Sequence, residues 1–162
     1  MASNLEFIKF GTADDVSSFT ITDIFSDKYD VYEVFVIGNG SANVGSLSME
    51  FLDSGGTDIA QGAYDNAMQR MKIGSAFDEI RGTNLNSTEW VYPGGSDRDF
   101  AAKIIVYNPF SSSTYTFATH QSMSQHGEKG IAVAKSTTSA VSLKFRANQN
   151  FTPIKVSVYG VK

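Results

Sequence analysis

Two histidines, His120 and His126, stand six residues apart in "THQSMSQH". Imidazoles at close spacing raise the question of a metal, and such a pair needs a third ligand. Glu128 is the one nearby carboxylate. The local pattern puts His120 on a strand face with Thr116, Ala118 and Ser122, and His126 in the turn "SQHGEKG". A surface histidine and a turn histidine are therefore expected, not a metal centre. Asp53 and Asp58 flank the glycines of "DSGGTD". A calcium loop wants alternating oxygen ligands and a closing Glu, so this stretch reads as a hairpin turn. Serine is abundant, but none sits in a G-x-S-x-G elbow. "GNGSANVGS" lacks the G-K-[ST] ending and the following helix of a phosphate loop, and reads as a connection between strands. The expectation is a protein that is not an enzyme, with no catalytic residue, cofactor or metal.

"STEWVYPGGSDRDF" is the richest stretch and holds the only tryptophan. Trp90 and Tyr92 stand beside Asp97 and Arg98. Aromatic rings stack on the apolar face of a sugar while charged and amide groups take its hydroxyls, so these four residues are a candidate glycan or partner contact. The competing reading puts Trp90 and Tyr92 in the core or in a subunit contact. Lys144 and Arg146 share one outward face. They are expected in solvent, or paired with acidic neighbours across a subunit boundary.

The whole chain must position these groups. Its 162 residues favour one domain, 1–162, large enough to bury a core. An apolar fraction of 41% argues against disorder. A net charge of −4 argues against nucleic acid as the main partner. The absence of cysteine removes disulfides, thiolate metal sites and cysteine nucleophiles together. "MASNLEFIKF" has neither the positive region nor the long apolar run of a signal peptide, and no stretch is long and apolar enough for membrane insertion.

Period-two alternation dominates. "SAVSLKFRA" points Val141, Leu143 and Phe145 inward; "FTPIKVSVYG" does the same with Ile154, Val156 and Val158. "SLSMEFLD" sets Leu47, Met49 and Phe51 against Ser46, Ser48 and Glu50. "YDVYEVFVIG" is apolar on both faces, with Val31, Phe35 and Ile37 on one and Tyr32, Val34 and Val36 on the other, so it reads as a central strand. "FAAKIIVY" gathers Ala102, Ile104 and Val106, and "STYTFATHQSM" alternates Tyr115 and Phe117 with Thr116 and Ala118. "AYDNAMQRMK" has too poor an apolar stripe for a helix and reads as a strand or a single turn. Eight to ten short strands separated by Gly-, Ser- and Asn-rich turns predict an all-β, antiparallel two-sheet sandwich of jelly-roll type.

At "SDKYDVY" and the closing "VYGVK" the chain resembles small structural proteins of tailed bacteriophages, especially cyanophages and related marine phages. That resemblance implies a jelly roll assembled as a homotrimer on the virion exterior, made in the host cytoplasm and released by lysis. It implies head decoration (cement) proteins, with the major capsid protein as partner, or modules of tail fibres and baseplates that contact tail proteins. The chain lacks the heptads or repeats of a fibre shaft, which favours a module that clips onto a capsid lattice. A tail module binding host surface glycan is the alternative. A strand apolar on two faces suits a protein that buries one face in its own sandwich and the other in a trimer. Tyr32, Val34 and Val36, and Ile105 with Tyr107, are the candidates for that second face. "MASNLEFIKF" reads as the first strand, or alternatively as a docking arm.

Overall fold

The computed structural model describes residues 4–40, 47–72, 74, 77–91 and 98–162. Eleven strands occur among them: β1 Leu5–Ala13, β2 Val16–Ile21, β3 Val31–Gly40, β4 Leu47–Leu52, β5 Tyr64–Lys72, β6 Asp78–Leu85, β7 Thr88–Val91, β8 Arg98–Tyr107, β9 Thr116–Met123, β10 His126–Ala134 and β11 Ser142–Val161. All belong to one continuous antiparallel sheet. Among the described residues no helix is long and apolar enough to cross a membrane.

The organising element is β11, twenty residues long. Along one edge β1 pairs its C-terminal half (Leu5↔Val161 to Ala13↔Ile154), and β2 its N-terminal half (Phe19↔Phe145, Ile21↔Leu143). Along the other edge β3 and β4 divide it in the same way, with Tyr32↔Gly160 and Val34↔Val158, then Met49↔Phe145 and Phe51↔Leu143. The register with β3 slips between Phe151 and Ile154, where Pro153 has no N–H to donate. Gly38 lies against that irregularity. A Cβ there would stand 2.5 Å from the Pro153 carbonyl oxygen and 2.6 Å from the Phe100 ring, so a side chain is excluded.

Two arms grow from this bent ribbon. One continues from β3 through β8, β9, β10 and β5 to β6. Counting the C-terminal half of β11 and β1, it is an eight-stranded layer. The other adds β7 beside β4, and β7 packs back over β5, β9 and β10. The sheet is nearly closed into a barrel, and the core lies inside it. Val34 and Val36 of β3, Ile104 and Val106 of β8, Leu47 and Phe51 of β4, and Ile154, Val156 and Val158 of β11 are all buried. Trp90 meets Phe145 and Phe100 edge-on, at centroid separations of 5.4 and 5.9 Å. The strands beneath β7 turn small side chains inward, Ala118, Ala132 and Ala134, which leaves room for large rings from the opposite layer.

Two face assignments made from the alternation are reversed. Tyr32, Val34 and Val36 face the core, with no exposed surface, and Phe35 and Ile37 face out. In β9, Thr116 and Ala118 face in, and Phe117 faces out with Tyr115 before it. The inward assignments of Leu47, Met49, Phe51, Leu143, Phe145, Ile154, Val156 and Val158 match the structure.

Candidate functional site

Trp90 is fully buried, held by rings on both layers. A ring with no accessible face cannot stack on a sugar, so the glycan contact built around it is corrected to a core position. Tyr92 and Asp97 lie outside the described residues. The Arg98 backbone opens β8 opposite Gly40.

The acidic candidates are held by local hydrogen bonds, whereas His120 Nε2 and His126 Nδ1 are buried with no hydrogen-bond partner among the described residues, and His126 opens β10 and does not lie in the preceding turn. Asp53 Oδ1 accepts the backbone N–H of Gly55 at 2.8 Å and of Thr57 at 2.9 Å, an Asp-capped turn. Asp58 accepts the Tyr64 hydroxyl at 2.6 Å and the Ala60 N–H at 3.0 Å, and burial raises its pKa. Burial also pushes the Tyr64 hydroxyl well above its ordinary value, so it stays protonated and donates. His120 is not a surface residue. It faces the core over Gly130, where a Cβ would come within 2.7 Å of its Cε1. Burial lowers its pKa to about 4, which leaves the ring neutral at pH 7. Glu128, the expected third ligand, is engaged elsewhere. Arg70, Glu128 and Ser122 stand in register across β5, β10 and β9. Arg70 Nε donates to Glu128 Oε1 at 2.5 Å, and Ser122 Oγ donates to Oε2 at 3.3 Å. Arg70 also reaches Glu89 of β7 at 3.4 Å, so this buried charge cluster ties the two layers together. Among the described residues no group of three His, Asp or Glu side chains is placed to hold a metal. Lys144 and Arg146 pair with Glu50 of their own chain, at 3.4 and 2.7 Å. Lys144 and Glu50 are direct cross-strand partners, so no subunit boundary is needed to satisfy them.

What remains is the outer face of the eight-stranded layer. A β-bulge at Ile8 turns both Phe7 and Phe10 outward on β1. Phe7 meets Tyr159 edge-on at 5.6 Å, and Tyr159 meets Phe35 at 5.8 Å. Lys103 lies 5.6 Å from the Phe35 ring centre and pairs with Glu33 at 2.7 Å. Across β8, β9, β10, β5 and β6 the register builds rungs that span the sheet. One runs Ile105, Thr119, Ile131, Ala67, Arg81; the next runs Lys103, Gln121, Lys129, Gln69, Glu79. These rungs line a groove of about 840 Å³, and a second of about 710 Å³ adjoins it beside Phe117 and Val133. Apolar side chains stand open along the whole face: Phe7 is 57% exposed, Ile37 53%, Phe117 45% and Ile131 60%. These side chains alternate with the polar rung of Lys103, Gln121, Lys129, Gln69 and Glu79, so the face is amphipathic. Lys129, Arg81 and Glu79 have no ion-pair partner among the described residues.

Ile105 and Tyr107, the other pair expected on a second face, do lie on this outer face and are half-buried. Tyr32, Val34 and Val36 do not, because they have no surface to offer a partner. Phe35, Ile37, Phe117 and Ile131 were missed as surface residues. The signal for them was present in the apolar character of β3 on both sides. Alternation alone does not say which side is out.

No family model matches the chain, and no curated protein matches it either. Among solved structures, 94% of the chain aligns with the structure of the Clostridium perfringens CspB protease at 10% identity and a TM-score of 0.27. The chain spans about a quarter of that protein's length (25%), and a likeness this slight carries no argument.

Proposed function

We propose that the chain is a structural protein of a bacteriophage virion, a homotrimeric head decoration or cement protein. It binds the capsid exterior through the major capsid protein and stabilises the shell. The observation that supports this reading is the number of large apolar side chains on the outer face of the eight-stranded layer, with Phe7, Phe35, Ile37, Phe117 and Ile131 all open to solvent. Such a face is suited to being covered in an assembly. The mechanism is adhesion, with no bond made or broken. Each subunit adds one modest contact to the lattice, and three linked contacts gain from effective concentration. The jelly-roll assignment belongs to the same reading, supported by antiparallel pairing throughout and by a single core. Synthesis in the host cytoplasm and display on the particle exterior follow from it.

The test is gold-labelled antibody against this protein on intact particles of the parent phage. Label spread over the head supports decoration. Label confined to the tail replaces it with a tail-fibre or baseplate module, the setting in which host glycan would be the partner. Particles without label overturn the virion reading.

A further inference from the structure

The outer face carries two unlike apolar features at opposite ends. Leu5, Phe7 and Phe10 project from the edge strand β1. The groove, floored by Ile105 and Ile131, lies toward the β6 edge. From β1 to β10 is five strand spacings, roughly 24 Å at ~4.8 Å each. A copy therefore cannot fill its own groove with its own β1.

Charge is divided in the same way. β1 runs directly into Asp14 and Asp15, which have no cation partner among the described residues. Asp14 Oδ1 accepts the Asp15 N–H, and Asp15 Oδ1 accepts from Asn150 Nδ2, so both carboxylates are held at the corner between β1 and β2. The groove is flanked by Lys129 and Arg81, which also have no ion-pair partner among the described residues, while Glu79 on the β6 rim partly offsets them. In an extended chain the four residues from Phe10 to Asp14 span about 13 Å. The step from Ile131 on β10 across β5 to Arg81 on β6 is two strand spacings, roughly 10 Å. The apolar-then-acidic order of the strand matches the apolar-then-basic order of the groove, on a similar length scale.

We propose that β1 and the Asp14–Asp15 corner of one copy occupy this groove on the next copy. Phe7 and Phe10 lie on Ile105 and Ile131, and the two carboxylates reach Lys129 and Arg81. The contact is heterologous, since unlike patches meet, so it propagates around a ring and closes at three subunits. It rests on the trimer of the reading above and names the surfaces that build it.

The experiment is sedimentation velocity on the purified full chain and two single variants, Phe7→Asp on the strand side and Ile131→Asp on the groove side. Both side chains are exposed, so each variant is expected to keep a cooperative melt and the parent's circular dichroism spectrum, with a melting temperature lowered only by the lost association, and this is checked first. The parent sediments as a trimer and each variant alone as a monomer. An equimolar mixture forms a dimer and no trimer, because each variant keeps the half that the other has lost. Lys129→Glu weakens the ring by about tenfold or more, and Asp14→Lys in the same chain restores it. A parent that is monomeric at micromolar concentration overturns the contact, as does a variant that keeps the parent's trimer or a mixture that stays monomeric. Monomer in solution with label still on particles sinks this contact and leaves the virion reading standing. Trimer in solution with unlabelled particles does the reverse.

Discussion

Lowering the pH from 7 to 4.5 should destabilise this protein through His120. Burial holds that ring at a pKa of about 4, against an ordinary 6.5. Between those values the unfolded chain binds a proton at this residue and the folded chain does not. Stability is therefore fully present above pH 6.5 and falls as pH falls toward 4, at up to about 1.4 kcal/mol per pH unit. From pH 6.5 to 4.5 the loss is roughly 2–3 kcal/mol, a large share of a typical domain stability of about 5–15 kcal/mol. The carboxylates held low by lysines, Glu6 by Lys162 and Lys28, Asp65 by Lys135 and Asp78 by Lys72, lose their stabilisation below this window. Asp58, raised by burial, acts in the opposite sense and is common to parent and variant. The assay is urea unfolding at pH 7, 5.5 and 4.5, for the parent and for His120→Gln. The parent's midpoint should drop by about 1–2 M more than the variant's across that range. Parallel pH dependence in the two proteins, within about 0.5 kcal/mol, would refute the burial argument.

Three further outcomes follow from the packing. Arg70→Met leaves the Glu128 carboxylate buried without its strongest partner, and should cost about 3–5 kcal/mol in urea unfolding, whereas Arg146→Met on the exposed side of Glu50 should cost under about 1 kcal/mol. Trp90→Ala should cost about 3–5 kcal/mol in the same assay. Truncation after Pro153 removes the ladder partner of both β1 and β3; it should abolish the cooperative melt seen by circular dichroism, and a soluble fragment with the parent's melting curve would contradict the register described for β11.

How far the sequence could be read differs from strand to strand. β11 was legible because Leu143, Phe145, Ile154, Val156 and Val158 alternate with polar residues, so one face had to be buried. β3 was legible as a strand but not in its orientation, since both its faces are apolar. β9 misled because the face of Thr116, Ala118, His120 and Ser122 was read as carrying a surface histidine, whereas it is buried. The interior there takes small residues, since β7 packs over these strands and brings Trp90 to the core from sequence far away. β6 escaped because an edge strand with Ile80 and Leu85 as its only large apolar residues has no alternation to detect. The turn at Asp53 was correct, because an Asx turn is local chemistry. The Arg70–Glu128 pair was invisible, because its members are 58 residues apart and meet only through strand register.

The sharing of β11 between both layers has a consequence for biosynthesis. Among the described residues β1 is the first strand, yet its only ladder partner is residues 154–161; β2 likewise waits for residues 143–151. Neither pairing can form until those residues have been synthesised, and contacts so distant in sequence close slowly. The meander β8–β9–β10, whose strands are consecutive in sequence, can form earlier, and it would do so with Phe117, Ile131 and its core-facing side all open to water. The interval between that intermediate and the arrival of β11 is when aggregation competes with folding. Yield should therefore respond to synthesis temperature and to chaperone supply more steeply than the stability of the finished protein does.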